Sequence, residues 1–600
     1  MSPMHGRARR AARCSLTGDR RRGGRRRACR ARPIPPINLE NVFQRIGRAP
    51  APCQSGISMS HLKMVTAKET TVSLHGINRF SRIFLSGAYG DAAETHVRFQ
   101  PESAGGMVYS RLMRLDPDTC YDALLSRNRR FDGWFFVGVA TTGVYCRPVC
   151  PVKPPKAQNC SYYPSAAAAE KAGFRPCMRC RPELAPGHGL LDLSGTLADA
   201  AATLIEDGFL NTHSVDALAQ RVGVTERHLR RIFGAQFGVS PVEFAQTHRL
   251  LMAKRLLTDT ALPVAVVAST AGFGSVRRFN DLFLQRYGLN PLRLRKGARA
   301  SADGDMTFPL PYRPPFAWDD LMRFLSQRQI DGVERLDAQG YARVVELPNR
   351  DGRTQADNGR VAGWLSVAHV PQRFALAVTV SPSLTPVVPA VLARVRRLFD
   401  LDSRPDVIDA HLGELASGSP GLRVPGAFDG VEIAIRAIAG ERLAATHAGT
   451  PVLVRIAERF GTAIEGAPPG LTHALPSAAT LAALPPSALE TIGIARATAR
   501  AIVSLARAVD DGTLSLEPMA PLDTTLDALR ALPGFDEHAV QYVAMRAMAW
   551  PNAFPADDAW LPARTERARV PSSAPHAARW APWRAYAALH VWRLHGDVLR

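Results

Sequence analysis

Four cysteines stand in two tight pairs: Cys146-x3-Cys150, then 26 residues, then Cys177-x2-Cys180. Each pair can grip one side of a tetrahedral ion, and four thiolates select zinc. On spacing alone this is a structural site. The sequence also places Arg147, Lys153, Lys156, Arg175, Arg179 and Arg181 around it. Cationic neighbours and a metal keep a thiol ionised, and an ionised thiol is a nucleophile. A phosphate-attracting rim is more than a structural staple needs. Cys120 and Cys160 lack a partner at ligand spacing and read as packing residues.

A second chemistry lies in basic helices. Residues 214–237, SVDALAQRVGVTERHLRRIFGAQF, predict a helix, a turn at Gly223 and a second helix capped by Thr225, burying Leu229, Ile232 and Phe233. Ser240-Pro-Val-Glu243 is a capping box that opens a linking helix to about Leu257. Residues 262–291 repeat the pattern, with a helix from about Ser275 that buries Phe279, Leu282 and Phe283. Arg227, Arg230 and Arg231, then Arg277, Arg278 and Asn280, fall on the exposed faces. Such side chains reach base edges and phosphates. The alternative is a solvated basic face of a helical bundle.

A third constellation is near the C-terminus. Residues 526–549 predict a helix, the tight turn Leu532-Pro533-Gly534-Phe535 and another helix. A helix–hairpin–helix turn of this kind, here at Gly534, can offer backbone N–H groups to a phosphate. Asp557 and Asp558 follow in PNAFPADDAW, and RWAPWRAYAALHVW supplies aromatic rings. A carboxylate pair in a loop is commonly a helix cap.

The elements that must hold these groups make a multidomain α+β chain. A length of 600 residues, 46% of them apolar, suffices for three to five cores. Residues 1–106 read as a disordered basic extension, or as a start assigned too early with Met107 or Met113 first; the alternative is a basic arm that grips phosphates. Residues 113–187 read as a small zinc-bound α/β domain and 195–299 as an all-α tandem helix-turn-helix. Residues 306–384, with the strands ARVVEL, GWLSVAHV and RFALAVTV and an amphipathic 318–328, read as a small mixed α/β domain. Residues 385–600 read as an all-α helix–hairpin–helix domain.

The net charge of +22 is concentrated in two places: residues 1–50 hold 14 Arg and 2 acids, and 221–299 hold 14 Lys+Arg and 4 acids. Basic charge on the predicted helix-turn-helix pair implies nucleic acid. All nine cysteines precede residue 181, which suits an intracellular protein. No 18-residue apolar run spans a membrane.

Residues 131–182, with GVYCRPVCP and GFRPCMRCRP, resemble the zinc domain of the Ada family of alkylation-response proteins. The resemblance implies that Cys146 takes a methyl group irreversibly from a DNA methylphosphotriester. The tandem helices with AGFGSVRRF resemble AraC-type DNA-binding domains. The last 300 residues, with SPGLRVPGAFDGVEIAIRAIAG, LPGF, FPADD and RWAPWRAYAALHVW, resemble the AlkA family of DNA-3-methyladenine glycosylases. That likeness implies Asp558 as catalytic carboxylate and Tyr542 and Trp592 as base-pocket aromatics. His538 stands where the family has a pocket Trp, Asp536 where the hairpin has its second Gly, and Arg442 where a Leu intercalates.

No cysteine follows Cys180, which excludes O6-methylguanine repair by the family's second methyltransferase domain. No lysine follows Lys296, which excludes a Schiff-base lyase in the C-terminal half. The expectation is a monofunctional glycosylase fused to a methyl-accepting activator. The alternative is a regulator whose AlkA-like half binds DNA without cutting. Expected partners are one Zn2+ and double-stranded DNA, at damage and at promoters, with RNA polymerase during activation. A monomer in the bacterial cytoplasm, associated with the nucleoid, completes the expectation.

Overall fold

The structure is a computed structural model that describes residues 116–187, 197–294, 305–349, 359–440, 451–518, 520, 522–555 and 577–595. The expectation for residues 1–106 lies outside the described residues.

Asp116 accepts from the Thr119 amide and Pro117 follows it, which starts α1 (Pro117–Leu125). Its Cys120, Ala123 and Leu124 pack on Phe135 and Val137. Four strands make the sheet beneath: β1 (Phe136–Val139), β2 (Val144–Cys146), β3 (Cys160–Tyr163) and β4 (Arg175–Pro176), in the order β3-β1-β2-β4. β1 runs antiparallel to β2 and β3, with Val137 opposite Cys146 and Tyr162, and β4 lies parallel to β2. A Cβ at Gly138 would come within 2.8–2.9 Å of the rings of Tyr163 and Phe174, so glycine lets these rings close over the strand. Helix α2 (Ala166–Lys171) covers the other side of the sheet.

The predicted helix pairs are present: α3 (Leu197–Glu206), α4 (Val215–Arg221), α5 (Glu226–Phe237), α6 (Pro241–Asp259), α7 (Val264–Thr270) and α8 (Val276–Tyr287). Thr225 caps α5, Ser275 caps α8, and Ser240 with Glu243 forms the capping box of α6. Ile232 and Leu282, expected in the cores, are half-buried; Phe237 and Tyr287 take the fully buried places one turn on. The two units do not share one core. Leu229, Phe233 and Phe237 pack with Ala167 and Ala168 of α2. Phe279 and Phe283 belong instead to a core continuous with the rest of the chain as far as Trp592.

Next comes an antiparallel sheet of β5 (Met306–Pro311), β6 (Glu334–Asp337), β7 (Gly340–Pro348), β8 (Arg360–Val370) and β9 (Ala375–Val380), in the order β5-β9-β8-β7-β6. Its inward residues meet the apolar sides of α9 (Trp318–Ser326) and α10 (Val388–Leu398). The remainder, expected to be all-α, is mainly helical, with α11 (Pro405–Leu412), α12 (Gly430–Ile438), α13 (Pro451–Phe460), α14 (Arg496–Asp510), α15 (Leu522–Ala531), α16 (Glu537–Arg546) and α17 (Arg584–His595), but Thr462–Ala463 pairs antiparallel with His473–Ala474 in a two-stranded sheet. No helix among the described residues is long and apolar enough to cross a membrane.

Candidate functional site

β2 ends at Cys146, and the turn after it returns Cys150; the turn after β4 presents Cys177 and Cys180. The register of β2 beside β4, with Tyr145 opposite Pro176, brings the two pairs together. All four Sγ atoms lie within 4.8 Å of one another. Sulfurs around a tetrahedral zinc stand about 3.8 Å apart, given Zn–S bonds near 2.3 Å. The cluster therefore fits the ion.

Backbone N–H groups reach two of the sulfurs: Cys180 accepts from Arg147 and Cys177 from Arg179, both at 3.4 Å. No such bond to Cys146 or Cys150 is present among the described residues. Hydrogen bonds stabilise a thiolate and lower its nucleophilicity, which sets Cys177 and Cys180 apart from the other pair.

The cationic rim needs correcting. Lys153, Lys156, Arg175 and Arg179 are exposed, as expected. Arg147 is buried and forms a two-pronged ion pair with Asp132. Arg181 pairs with Glu183 and Asp259, tying the turn beyond Cys180 to α6. Burial acts to raise the Glu183 carboxyl, but Lys254 and Arg181 outweigh it and hold it below the usual range. Both arginines turn inward because buried carboxylates wait for them. Asp132 carries no sequence signal of that role.

From Asp132 a line of hydrogen bonds leads to the C-terminal half. Its backbone carbonyl accepts from Arg313 Nε at 3.2 Å. Arg313 also donates to Gly187 O and Asp402 O, and Asp402 Oδ1 accepts from the Gly187 amide at 2.7 Å. Arg404 stacks on Trp134 at 4.0 Å, and Arg129 on Phe374 at 4.4 Å.

On α5, Arg227, Arg230 and Arg231 are exposed, with Arg230 held by Glu226 one turn before. On α8, Arg277 and Arg278 are exposed and Asn280 is half-buried. Both helices thus present cations at their N-terminal ends.

The hairpin joins α15 to α16 with Gly534 at φ +86°, a left-handed conformation that favours glycine. Asp536 is the cap of α16 and accepts from the Ala539 amide at 2.7 Å. His538 is half-buried one turn before Tyr542. Tyr542 is fully buried, and its hydroxyl accepts from Arg546 at 2.8 Å. Burial acts to raise this phenol, yet Arg546, Arg328 and Arg436 outweigh it and the net shift is downward. Trp592 is buried on α17 beside Phe324 and Arg423. The described residues therefore place these rings in core and do not bring them into one open pocket. Asp558 and Arg442 lie outside the described residues. The segment leading to Asp558 is pinned: Phe554 N donates to Gln541 on α16 at 3.1 Å, and Arg584 of α17 donates to Asn552 O at 3.0 Å.

Three family descriptions match. They are the metal binding domain of Ada over residues 119–183, a helix-turn-helix domain over 218–297 and the AlkA N-terminal domain over 307–429. The chain is 35% identical over 500 residues to a probable bifunctional transcriptional activator/DNA repair enzyme AlkA of Mycobacterium tuberculosis, covering 80% of this chain and 97% of that protein. It is 30% identical over 294 residues to DNA-3-methyladenine glycosylase 2 of Escherichia coli, covering 48% of this chain and 98% of the relative. The bifunctional transcriptional activator/DNA repair enzyme Ada of Escherichia coli is 33% identical over 187 residues, 30% of this chain and 50% of that protein. With the metal binding domain matched and the four sulfurs converged, the site is that of one Zn2+ on Cys146, Cys150, Cys177 and Cys180.

Proposed function

The chain belongs to the family of bifunctional transcriptional activator/DNA repair enzymes, and on that footing we propose that it senses and repairs alkylated DNA with two chemistries. Zinc, when bound, holds the Cys146 sulfur as a thiolate. Cys146 Sγ then attacks the methyl carbon of a methylphosphotriester. The S–C bond forms, the C–O bond breaks, and its electron pair stays on the phosphate oxygen. The step happens once per chain, because a thioether does not return the methyl group. The observation that carries this reading is the convergence of the four sulfurs within 4.8 Å of one another, where Cys177 and Cys180 each accept a backbone N–H and Cys146 accepts none among the described residues.

Methylation removes one negative charge from a surface that faces DNA phosphates, so binding tightens. Arg227, Arg230, Arg231, Arg277, Arg278 and Asn280 then read the promoter, and RNA polymerase is recruited to a monomeric activator.

The C-terminal half hydrolyses the N-glycosidic bond of alkylated purines. Gly534 of the hairpin meets a phosphate, Arg442 fills the gap left by the flipped nucleotide, and half-buried His538 meets the base, with the buried Tyr542 and Trp592 backing the site from the core. Asp558 stabilises positive charge at C1′ and helps water attack. No lysine follows Lys296, so the enzyme is monofunctional. Asp536 favours a second reading, a regulator with a non-cutting half. Its carboxylate occupies the N-terminus of α16, where a phosphate would otherwise be welcomed.

Purified protein incubated with methylated DNA is expected to gain one methyl mass on Cys146. It is also expected to release 3-methyladenine, with at least ~100-fold less release from Asp558→Asn. No mass gain would overturn the sensor. No release by folded, zinc-loaded wild type would establish the second reading.

A further inference from the structure

The two helix-turn-helix units share no core, so apolar packing between them does not set their separation. Helix α6 runs through both cores, with Phe244 in one and Leu250 in the other. The zinc domain meets the ends of both recognition helices. The last carbonyls of a helix have no partner inside it. Ser165 Oγ donates to the carbonyl of Phe237, the last residue of α5, at 2.9 Å. Arg175 Nη1 donates to the carbonyl of Tyr287, the last residue of α8, at 3.5 Å. A Cβ on Gly238, next after α5, would stand 3.4 Å from the Ala168 Cβ, and one on Gly288, next after α8, 3.8 Å from Arg175 Nη1. Both helix ends therefore rest against the zinc domain.

Glu170 of α2 joins the parts from within. Its Oε1 accepts from the Tyr145 hydroxyl at 3.1 Å and from the Tyr287 hydroxyl at 3.3 Å, and its Oε2 accepts from Thr247 at 3.1 Å. Tyr145 stands on β2 directly before Cys146, Thr247 is on α6, and Tyr287 ends α8. All four side chains are buried. Two carboxyl oxygens can serve three donors, whereas a side chain without an acceptor would strand three hydroxyls in the interior. Lys171, next along α2, adds only an exposed ion pair with Glu243 at 3.1 Å, and exposed pairs contribute little.

We propose that Glu170 is a positioning residue for promoter reading: through Tyr287 and Thr247 it sets the separation of the recognition helices α5 and α8 against the strand that carries Cys146. The inference rests on the reading above in which both helices contact one promoter. Ser165, the cap of α2, holds the end of α5, and Glu170 within α2 holds the end of α8, so this one short helix of the zinc domain is the spacer between them. Two DNA segments read by a rigid pair of helices must themselves stand at one spacing. Selection of that spacing thus depends on a domain that recognises no promoter sequence through Glu170 itself.

The test uses a duplex that the full, zinc-loaded chain, exposed beforehand to methylated DNA, selects from a random pool, with footprinting to locate the two protected segments. One base pair inserted between them displaces the second by about 3.4 Å and roughly a tenth of a turn. Wild type is expected to lose ~10-fold or more in affinity on insertion. Glu170→Leu is expected to bind the selected duplex less tightly and to lose almost nothing further on insertion. It should still gain one methyl mass per chain, the sign of an intact zinc site. Glu170→Gln keeps the oxygen that the two tyrosines share and is expected to restore the full penalty. A wild type that tolerates the insertion would overturn the proposal, as would the full penalty in Glu170→Leu or its loss in Glu170→Gln. Should Glu170→Leu fail to hold zinc, Tyr287→Phe removes the α8 bond alone and meets the same two duplexes, where a reduced penalty supports the proposal and an undiminished one overturns it. No preferred duplex at all would retire the promoter reading and the proposal with it; a preferred duplex with the full penalty in the variants would retire the proposal alone.

Discussion

Around the four zinc-site sulfurs, Val144 is the apolar side chain packed against them among the described residues. Metal bonds therefore replace hydrophobic burial there. Structural zinc in small domains contributes about 10–16 kcal/mol at neutral pH, so chelation should unfold residues 116–187; zinc release and the loss of circular dichroism should coincide. Arg147 and Asp132 make a buried pair, and removing one partner strands the other charge. Asp132→Asn should cost about 3–5 kcal/mol in denaturant unfolding. Glu170 gives a pH signature. It accepts from Tyr145, Thr247 and Tyr287, and burial raises it to about 7 despite these bonds. A raised carboxyl lends stability that is complete below about 4.5 and lost as pH rises through about 7. The melting temperature should fall from pH 5 to pH 8, and Glu170→Gln should flatten its share of that slope; an unchanged slope would refute the assignment.

At the scale of elements, the caps were legible because capping is local chemistry. Thr225, Ser240 and Ser275 each accept from an amide three residues on. Thr225→Ala should cost about 1 kcal/mol, read as a shift in the thermal midpoint. Arg277→Ala should weaken promoter binding with little change in base preference and lower the salt slope by about 1, the signature of a phosphate contact. Asp536 shows the same local chemistry, capping α16 by accepting from the Ala539 amide. The strands of the mixed domain were visible as apolar runs, and their order β5-β9-β8-β7-β6 was not, since pairing depends on residues far apart.

The whole molecule, over the described residues, is bound by arginines that cross between parts. Arg313 of the segment after β5 holds Asp132, Gly187 and Asp402; Arg397 of α10 holds Asp207 beyond α3; Arg221 of α4 donates to Ser515 at 2.6 Å. Phe279 and Phe283 share one core with α17. Unfolding of such a body should be cooperative. Calorimetry of the wild type is expected to show one main transition, split into two by Arg313→Ala; two transitions in the wild type would mean that the crossing contacts are weak.

The sequence by itself determined the four zinc ligands, the two capped helix pairs and the hairpin, because each is written in residues close along the chain. Only the tertiary structure decided which charges face inward. Arg147 and Arg181 read as surface cations until Asp132, Glu183 and Asp259 meet them. It alone gave two of the four sulfurs a backbone N–H and divided the two helix-turn-helix units between two cores. The physical reason is the same in each case: burial and countercharge are set by residues brought together from distant parts of the chain, and no local spacing encodes them.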